Sequence, residues 1–175
     1  MIIMTKTKFI RESRVIQTDL ILPNDTNNHN TLFGGVLMKR MDAVASLAAR
    51  RHCRTEVVTA STDSVDFLEP IHPTDSLSLE SFVTWTGRTS FEVFVKAIAE
   101  NLLSGEQRIA ATAFLTFVSQ DENGKPTPVP EVIAETKEEI YLNDTGKARA
   151  HTRKERRTKS KELAAFIREN KEEEQ

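Results

Sequence analysis

From Gly34 to His52 the chain reads GGVLMKRMDAVASLAARRH, and apolar side chains occupy far more than one stripe of that helix. At about 100° per residue, Leu37, Met41, Val44 and Ala48 fall within a narrow arc. Val36, Met38, Ala45, Leu47 and Ala49 widen the arc to well over half the circumference. A helix apolar nearly all round has to be surrounded by other elements. Asp42 sits on the shoulder of the arc, about 140° from Leu37, while Lys39 and Arg50 lie on the polar side.

Beyond the helix the period of the pattern falls from 3.6 to 2. Residues 56–70, 75–87, 89–101 and 107–120 read as long strands rich in β-branched and aromatic residues, joined by short turns. Residues 13–22, ending before Pro23, make a further strand ahead of the helix. Four long strands in a row favour an antiparallel meander. The fold class expected is α+β, a curved antiparallel sheet wrapped around one long helix. Such a sheet leaves an edge unpaired, which invites edge-to-edge dimerisation.

The division expected is an N-terminal extension (1–12), a folded domain (13–130) and a charged, partly helical C-terminal tail (131–175). In the tail eight Lys or Arg fall within residues 147–161, and KEEEQ ends the chain. That composition reads as an exposed helix. A length of 175 residues with 38% hydrophobic content suits one domain. Twenty-four basic against 26 acidic residues give a net charge of -2, which supplies no global field to hold nucleic acid or an anionic membrane. One cysteine, Cys53, excludes an internal disulfide and a multi-cysteine zinc site. His29, His52, His72 and His151 lack helical metal-ligand spacing, so no metal and no cofactor are expected. No apolar run is long enough to span a bilayer and the N-terminus has no cleavable signal pattern, so the expected location is the cytoplasm.

The candidate chemistry lies where the polar loop PNDTNNHNTLFGG meets the helix. Asn30, Gly34 and Gly35 fall there, and the first amides of a helix lack intrahelical partners and carry the positive end of its dipole. That arrangement polarises a carbonyl and holds an oxyanion, or simply caps the helix. Asp42, two turns on, is either a water-activating base or an edge carboxylate paired with Lys39, Arg50 or a strand. Arg88, Thr89 and Ser90, in the turn TGRTS, are phosphate-friendly groups that also suit a solvated hairpin. No serine or cysteine nucleophile motif and no phosphate loop is present.

In combination, the Asn with three residues between it and Gly-Gly, the mid-helix Asp, the Phe-x-Glu-Pro strand end and the Gly-Arg-Thr-Ser hairpin resemble the acyl-CoA thioesterases of the hotdog fold. The likeness is to the bacterial cytosolic and mammalian brain-type branch, over about residues 13–130. It implies hydrolysis of a fatty acyl-CoA thioester to free acid and coenzyme A. It implies that Asn30 and Asp42 work as a pair across a dimer interface, with the Gly35 amide polarising the thioester carbonyl. Arg88, Thr89 and Ser90 would hold the nucleotide phosphates of the coenzyme, which is part of the substrate. A homo-oligomer follows, at least a dimer and by family habit a trimer of dimers. One departure is Phe33, where many relatives carry His. Two competing readings are a non-catalytic acyl-CoA-sensing module, for which the chain offers no DNA-binding domain, and a hydroxyacyl dehydratase, for which only His29 lies near the site.

Overall fold

The computed structural model describes residues 6–171; the first five residues and the acidic end of the chain lie outside them. Strand β1 (Thr7–Phe9) and a 3-10 turn precede β2 (Val15–Leu20). Helix α1 (Gly34–Cys53) is followed by β3 (Glu56–Phe67), β4 (Asp75–Thr86), β5 (Ser90–Asn101) and β6 (Gln107–Gln120). Strand β7 (Glu131–Ile133) and helix α2 (Lys137–Lys171) close the chain. The five long strands form one antiparallel sheet in the order β2-β4-β5-β6-β3. The expected meander therefore holds for β4, β5 and β6 only. Strand β3 crosses to the far side and pairs with β6, because a sheet that must cover an apolar helix needs the chain on both of its flanks. A small parallel pair, β1 with β7, was not anticipated.

Alternation sorts the sheet into two faces. Leu79, Val83, Val93, Val95, Ala113 and Leu115 are buried on the inner face. Against them α1 buries Leu37, Met41, Val44, Ala45, Ala48 and Ala49. Alanines on the helix meet alanines on β5 and β6, which lets the helix lie close. Within that contact the Ser81 hydroxyl donates to the Val44 carbonyl at 2.9 Å. The opposite face carries Phe82, Phe94 and Phe114, consecutive across three strands. Arginines cap this aromatic row, with Arg14 over Phe82 and Arg149 over Phe114, each 4.2 Å from the ring centre.

Helix α2 lies on that second face. The charged tail is therefore not a free extension over its whole length: Glu139 and Leu142 are buried, and Gly146 packs on Trp85 so closely that a Cβ would lie 2.6 Å from the Trp85 Cβ and 2.7 Å from its indole. Composition hid this, because the tail docks largely through arginines. Arg149 forks onto Glu92, which is wholly buried, with its Nε and Nη2 2.8–3.1 Å from the carboxylate. The Thr84 hydroxyl donates to the same group at 2.7 Å.

His52, at the last turn of α1, is buried with its Nε2 2.8 Å from the Pro130 carbonyl, so that nitrogen carries the proton and donates. Burial holds its pKa below the ordinary 6.5, with the bond to Pro130 opposing and Lys8 adding to the drop.

Two outcomes are expected from these contacts. Glu92→Ala strands the Arg149 guanidinium against a dry sheet face, and should cost about 3 kcal/mol in urea unfolding. His52 should make stability fall as pH drops below 6.5, since the unfolded chain then takes a proton that the folded chain refuses. His52→Gln, which keeps a donor but does not titrate, should flatten the unfolding free energy between about pH 7 and 5.

Candidate active site

The loop before α1 is built around Asn27. Its Oδ1 accepts from the backbone amides of His29 (2.9 Å) and Thr31 (3.2 Å), and its Nδ2 donates to the Thr31 hydroxyl at 3.0 Å. The Asn27 amide donates to the Thr31 carbonyl at 2.8 Å, closing a tight Asx turn. Asn30 sits at the corner of this turn with φ 56, in the left-handed region that asparagine tolerates better than most residues. Its side chain is exposed and makes no hydrogen bond among the described residues. Backbone geometry thus accounts for the residue type at 30. Asn27, half-buried and fixed through both ends of its amide, is an asparagine of the same loop that the sequence reading did not single out. The signal available was the Asp-Thr-Asn-x-x-Asn-Thr spacing of an Asx turn.

Phe33 caps α1 from an extended conformation with no side-chain bond. The first helical bonds come from Val36 and Leu37 to the Phe33 carbonyl, so the Gly34 and Gly35 amides have no partner among the described residues. A Cβ would lie 2.8 Å from the Phe33 ring at Gly35 and 3.3 Å from the Phe67 ring at Gly34, so these two exposed rings sit directly against the glycine backbone. Phe33, Gly34 and Phe67 thereby shape the helix entrance. A cleft of about 330 Å³ opens beside it, lined largely by apolar groups including Leu32, Leu37, Phe67, Leu68 and Ile71.

Asp42 is half-buried on the flank of α1. Its Oδ1 accepts a hydrogen bond of 3.0 Å from the Thr59 hydroxyl on β3. Among the described residues no cation pairs with it; Arg50 is held instead by Glu56 at 2.9 Å. The carboxylate therefore has one oriented oxygen and one free. Thr59 is a second residue the sequence did not single out, because a threonine in a strand carries no signal until the fold sets it against an acid.

Asp42 and the free amides do not meet within one chain. Eight residues separate Gly34 from Asp42, about 12 Å along a helix axis. On the side of α1 that carries Asp42 the sheet leaves Met38 44% exposed, and β3 beside it is an edge strand with one neighbour among the described residues.

The Gly87–Ser90 hairpin is closed by the Gly87 amide donating to the Ser90 carbonyl at 2.8 Å. It is braced from outside, where Val129 and Ser119 amides donate to the Arg88 and Thr89 carbonyls, both at 3.0 Å. Arg88 is exposed. Ser90 pairs with Val118, which pairs with Val58, so the hairpin is level with Thr59 and about 10 Å from β3 at ordinary strand spacing. Cys53 is no nucleophile, since burial pushes its thiol up to about 12. His29 is exposed on the loop. Among the described residues no cluster of three or more His, Cys, Asp or Glu could hold a metal.

Comparison with known proteins bears on this geometry. Residues 29–105 match the thioesterase superfamily. The chain is 58% identical to YkhA of Bacillus subtilis (strain 168), named an uncharacterized acyl-CoA thioester hydrolase, over 91% of this chain and 92% of that one. It superposes on the acyl-CoA hydrolase of Bacillus cereus with a TM-score of 0.90 at 52% identity, covering 92% and 98% of the two chains. A hexameric acyl-CoA thioesterase gives 0.84 at 48% identity, covering 86% and 97%. The acyl-CoA hydrolase of Staphylococcus aureus, solved with butyryl coenzyme A, coenzyme A and its disulfide, gives 0.89 at 40% identity, covering 92% and 98%. That protein has also been solved with Ala replacing an Asp, a Thr and an Asn; the Asn precedes the Asp by fifteen residues and the Thr follows it by seventeen. By fold, identity and extent of match, the chain belongs to the thioesterase superfamily of hotdog-fold proteins.

Proposed function

We propose that the protein hydrolyses fatty acyl-CoA thioesters to free acid and coenzyme A by direct attack of water, and that its site is completed by a second copy of the chain. The observation that carries this is the Thr59-held, cation-free carboxylate of Asp42 on the open flank of α1. Thr59 fixes one carboxylate oxygen, and the other orients a water and takes its proton as the oxygen attacks the thioester carbonyl. The carbonyl oxygen gains negative charge, which the Gly35 amide at the start of the partner copy's α1 and an asparagine of the same loop stabilise. Collapse of the tetrahedral intermediate breaks the carbon–sulfur bond, and the departing thiolate receives the proton from Asp42. The apolar cleft beside the helix start suits an acyl chain.

Asn30 was the asparagine expected from the residue pattern. Two observations favour Asn27 for that role. Its amide is already fixed at the base of the loop, whereas Asn30 serves the backbone corner. Counting fifteen residues back and seventeen forward from Asp42, as in the Staphylococcus aureus variants, reaches Asn27 and Thr59.

Arg88, Thr89 and Ser90 are proposed to hold the phosphates of the coenzyme, on the strength of their level with Thr59 and the absence of an acidic partner on Arg88 among the described residues. The assembly proposed is a dimer across β3 and the open flank of α1, three of which make the hexamer. The hexameric relative, the edge position of β3 and the exposed Met38 beside it support it. The chain's own residues suffice for the chemistry, so no cofactor is invoked. No helix in the described residues is long and apolar enough to cross a membrane. We take residues 13–130 as the thioesterase unit and 131–175 as its C-terminal extension, whose α2 packs on the outer face through residues up to Arg156, and a cytoplasmic location as its setting.

Thiol release from palmitoyl-CoA tests the assignment. Asp42→Ala and Asn27→Ala should each lose ~10² or more in kcat while the oligomer persists in light scattering, the scale of a removed base or oxyanion donor. Asn30→Gly should stay within about threefold of wild type, because glycine adopts the left-handed corner readily. A collapse of Asn30→Gly beside a healthy Asn27→Ala would return the role to Asn30. Full activity in Asp42→Ala would end the mechanism.

A further inference from the structure

Strand β3 is an edge strand, hydrogen-bonded to β6 alone, and its pairing is irregular at two points. Thr59 opposes Phe117 and Ser61 opposes Thr116, so Ala60 is an extra residue. Thr62 opposes Leu115 and Ser64 opposes Phe114, so Asp63 is a second. Each extra residue reverses which face the following side chains occupy. The first is what lets Thr59 face inward to Asp42 while Ser61, two residues on, faces outward beside Thr116. Loss of that bulge would turn Thr59 or the whole following segment over. Within one protomer β3 has no second neighbour to prevent this.

The second bulge is held from outside the sheet. The Asp63 carboxylate accepts from the hydroxyls of Ser61 and Thr116, from Arg153 at 3.1 Å and from Arg156. Arg156 also donates to the Asp63 backbone carbonyl at 2.6 Å, so one guanidinium grips both the side chain and the main chain of the extra residue. Burial pushes the Asp63 carboxyl up, but these donors outweigh it and hold the group below its ordinary value. Arg149, Arg153 and Arg156 follow one another at helical spacing on the sheet-facing side of α2. Arg149 is anchored on Glu92 of the inner strand β5, so the helix is fixed to the middle of the sheet while its next two arginines reach the edge.

We infer that Asp63, with Arg153 and Arg156, forms a positioning clamp: it sets the two bulges of β3 through Ser61 and thereby aims the Thr59 hydroxyl at Asp42. The inference rests on the reading of Asp42 as the base that activates water. It gives α2 a part in catalysis without contact with substrate. Removing the clamp leaves Thr59 in place chemically but free to rotate or slip, so the carboxylate loses its fixed oxygen.

The test compares Arg156→Gln, Asp63→Asn and Thr59→Ala, singly and combined, in the full-length protein. Each single variant should lower kcat for palmitoyl-CoA about tenfold, the scale of one hydrogen bond to a charged group, with KM within about twofold. Arg156→Gln or Asp63→Asn placed on Thr59→Ala should add almost no further loss, since all three act through one bond. In hydrogen exchange, amides 59–64 of Arg156→Gln should exchange faster while those of β4 and β5 do not. Multiplicative losses in the double variants, unchanged kcat in both clamp variants, or a neutral Thr59→Ala would each overturn the inference. If Asp42→Ala is fully active, the catalytic reading itself fails; unaltered exchange at 59–64 sinks the clamp whatever Asp42 does.

Discussion

Everything in this structure follows from α1 being too apolar to face water on any broad side. Its Leu37, Met41 and Val44 are buried by the sheet. Burial of such side chains is worth roughly 1.5–3 kcal/mol each, which outweighs the strain of bending five strands about one helix. The sheet covers only part of the circumference, however. Met38 stays exposed about 40° round the helix from Asp42, so an apolar side chain still to be buried lies beside the acid proposed to do the chemistry, while Leu47 is exposed on the opposite side.

Under the proposed mechanism oligomerisation and catalysis are linked. A helix offers its amides only at its start, and Asp42 lies two turns downstream of Gly34. Carbonyl polarisation and water activation must act within a few ångströms of each other. A single chain holds the two groups too far apart; in the proposed dimer the start of one helix would lie beside the middle of the other, with the exposed Met38 and the edge of β3 at the contact.

The outer face of the sheet plays a different part. Its row of phenylalanines is covered by arginines rather than by aliphatic side chains, with Arg14 and Arg149 stacked on the rings, Glu80 and Glu139 fixing the guanidinium edges of the first and Glu92 those of the second. An arginine covers a ring while keeping its charge paired, so a helix that reads as a solvated, basic tail can dock as part of the domain. This explains why composition misjudged residues 137–160, whereas α1, whose burial is purely hydrophobic, was legible. The same difference separates Asn30 from Asn27. Both are loop asparagines in the sequence, and only the φ of 56 at one and the bonded amide of the other tell a backbone role from a positioned side chain.

Local chemistry determined the helix from Gly34, the long strands, the hairpin at Gly87–Ser90 and the candidacy of Asp42, since periodicity and turn residues act within a few positions of the chain. The tertiary structure alone decided that β3 lies beside β6, that Thr59 faces Asp42, and that three arginines of α2 reach into the sheet. Those facts depend on contacts between residues 17 to 93 positions apart, and on two extra residues in β3 that change which face a side chain occupies without changing the look of the sequence.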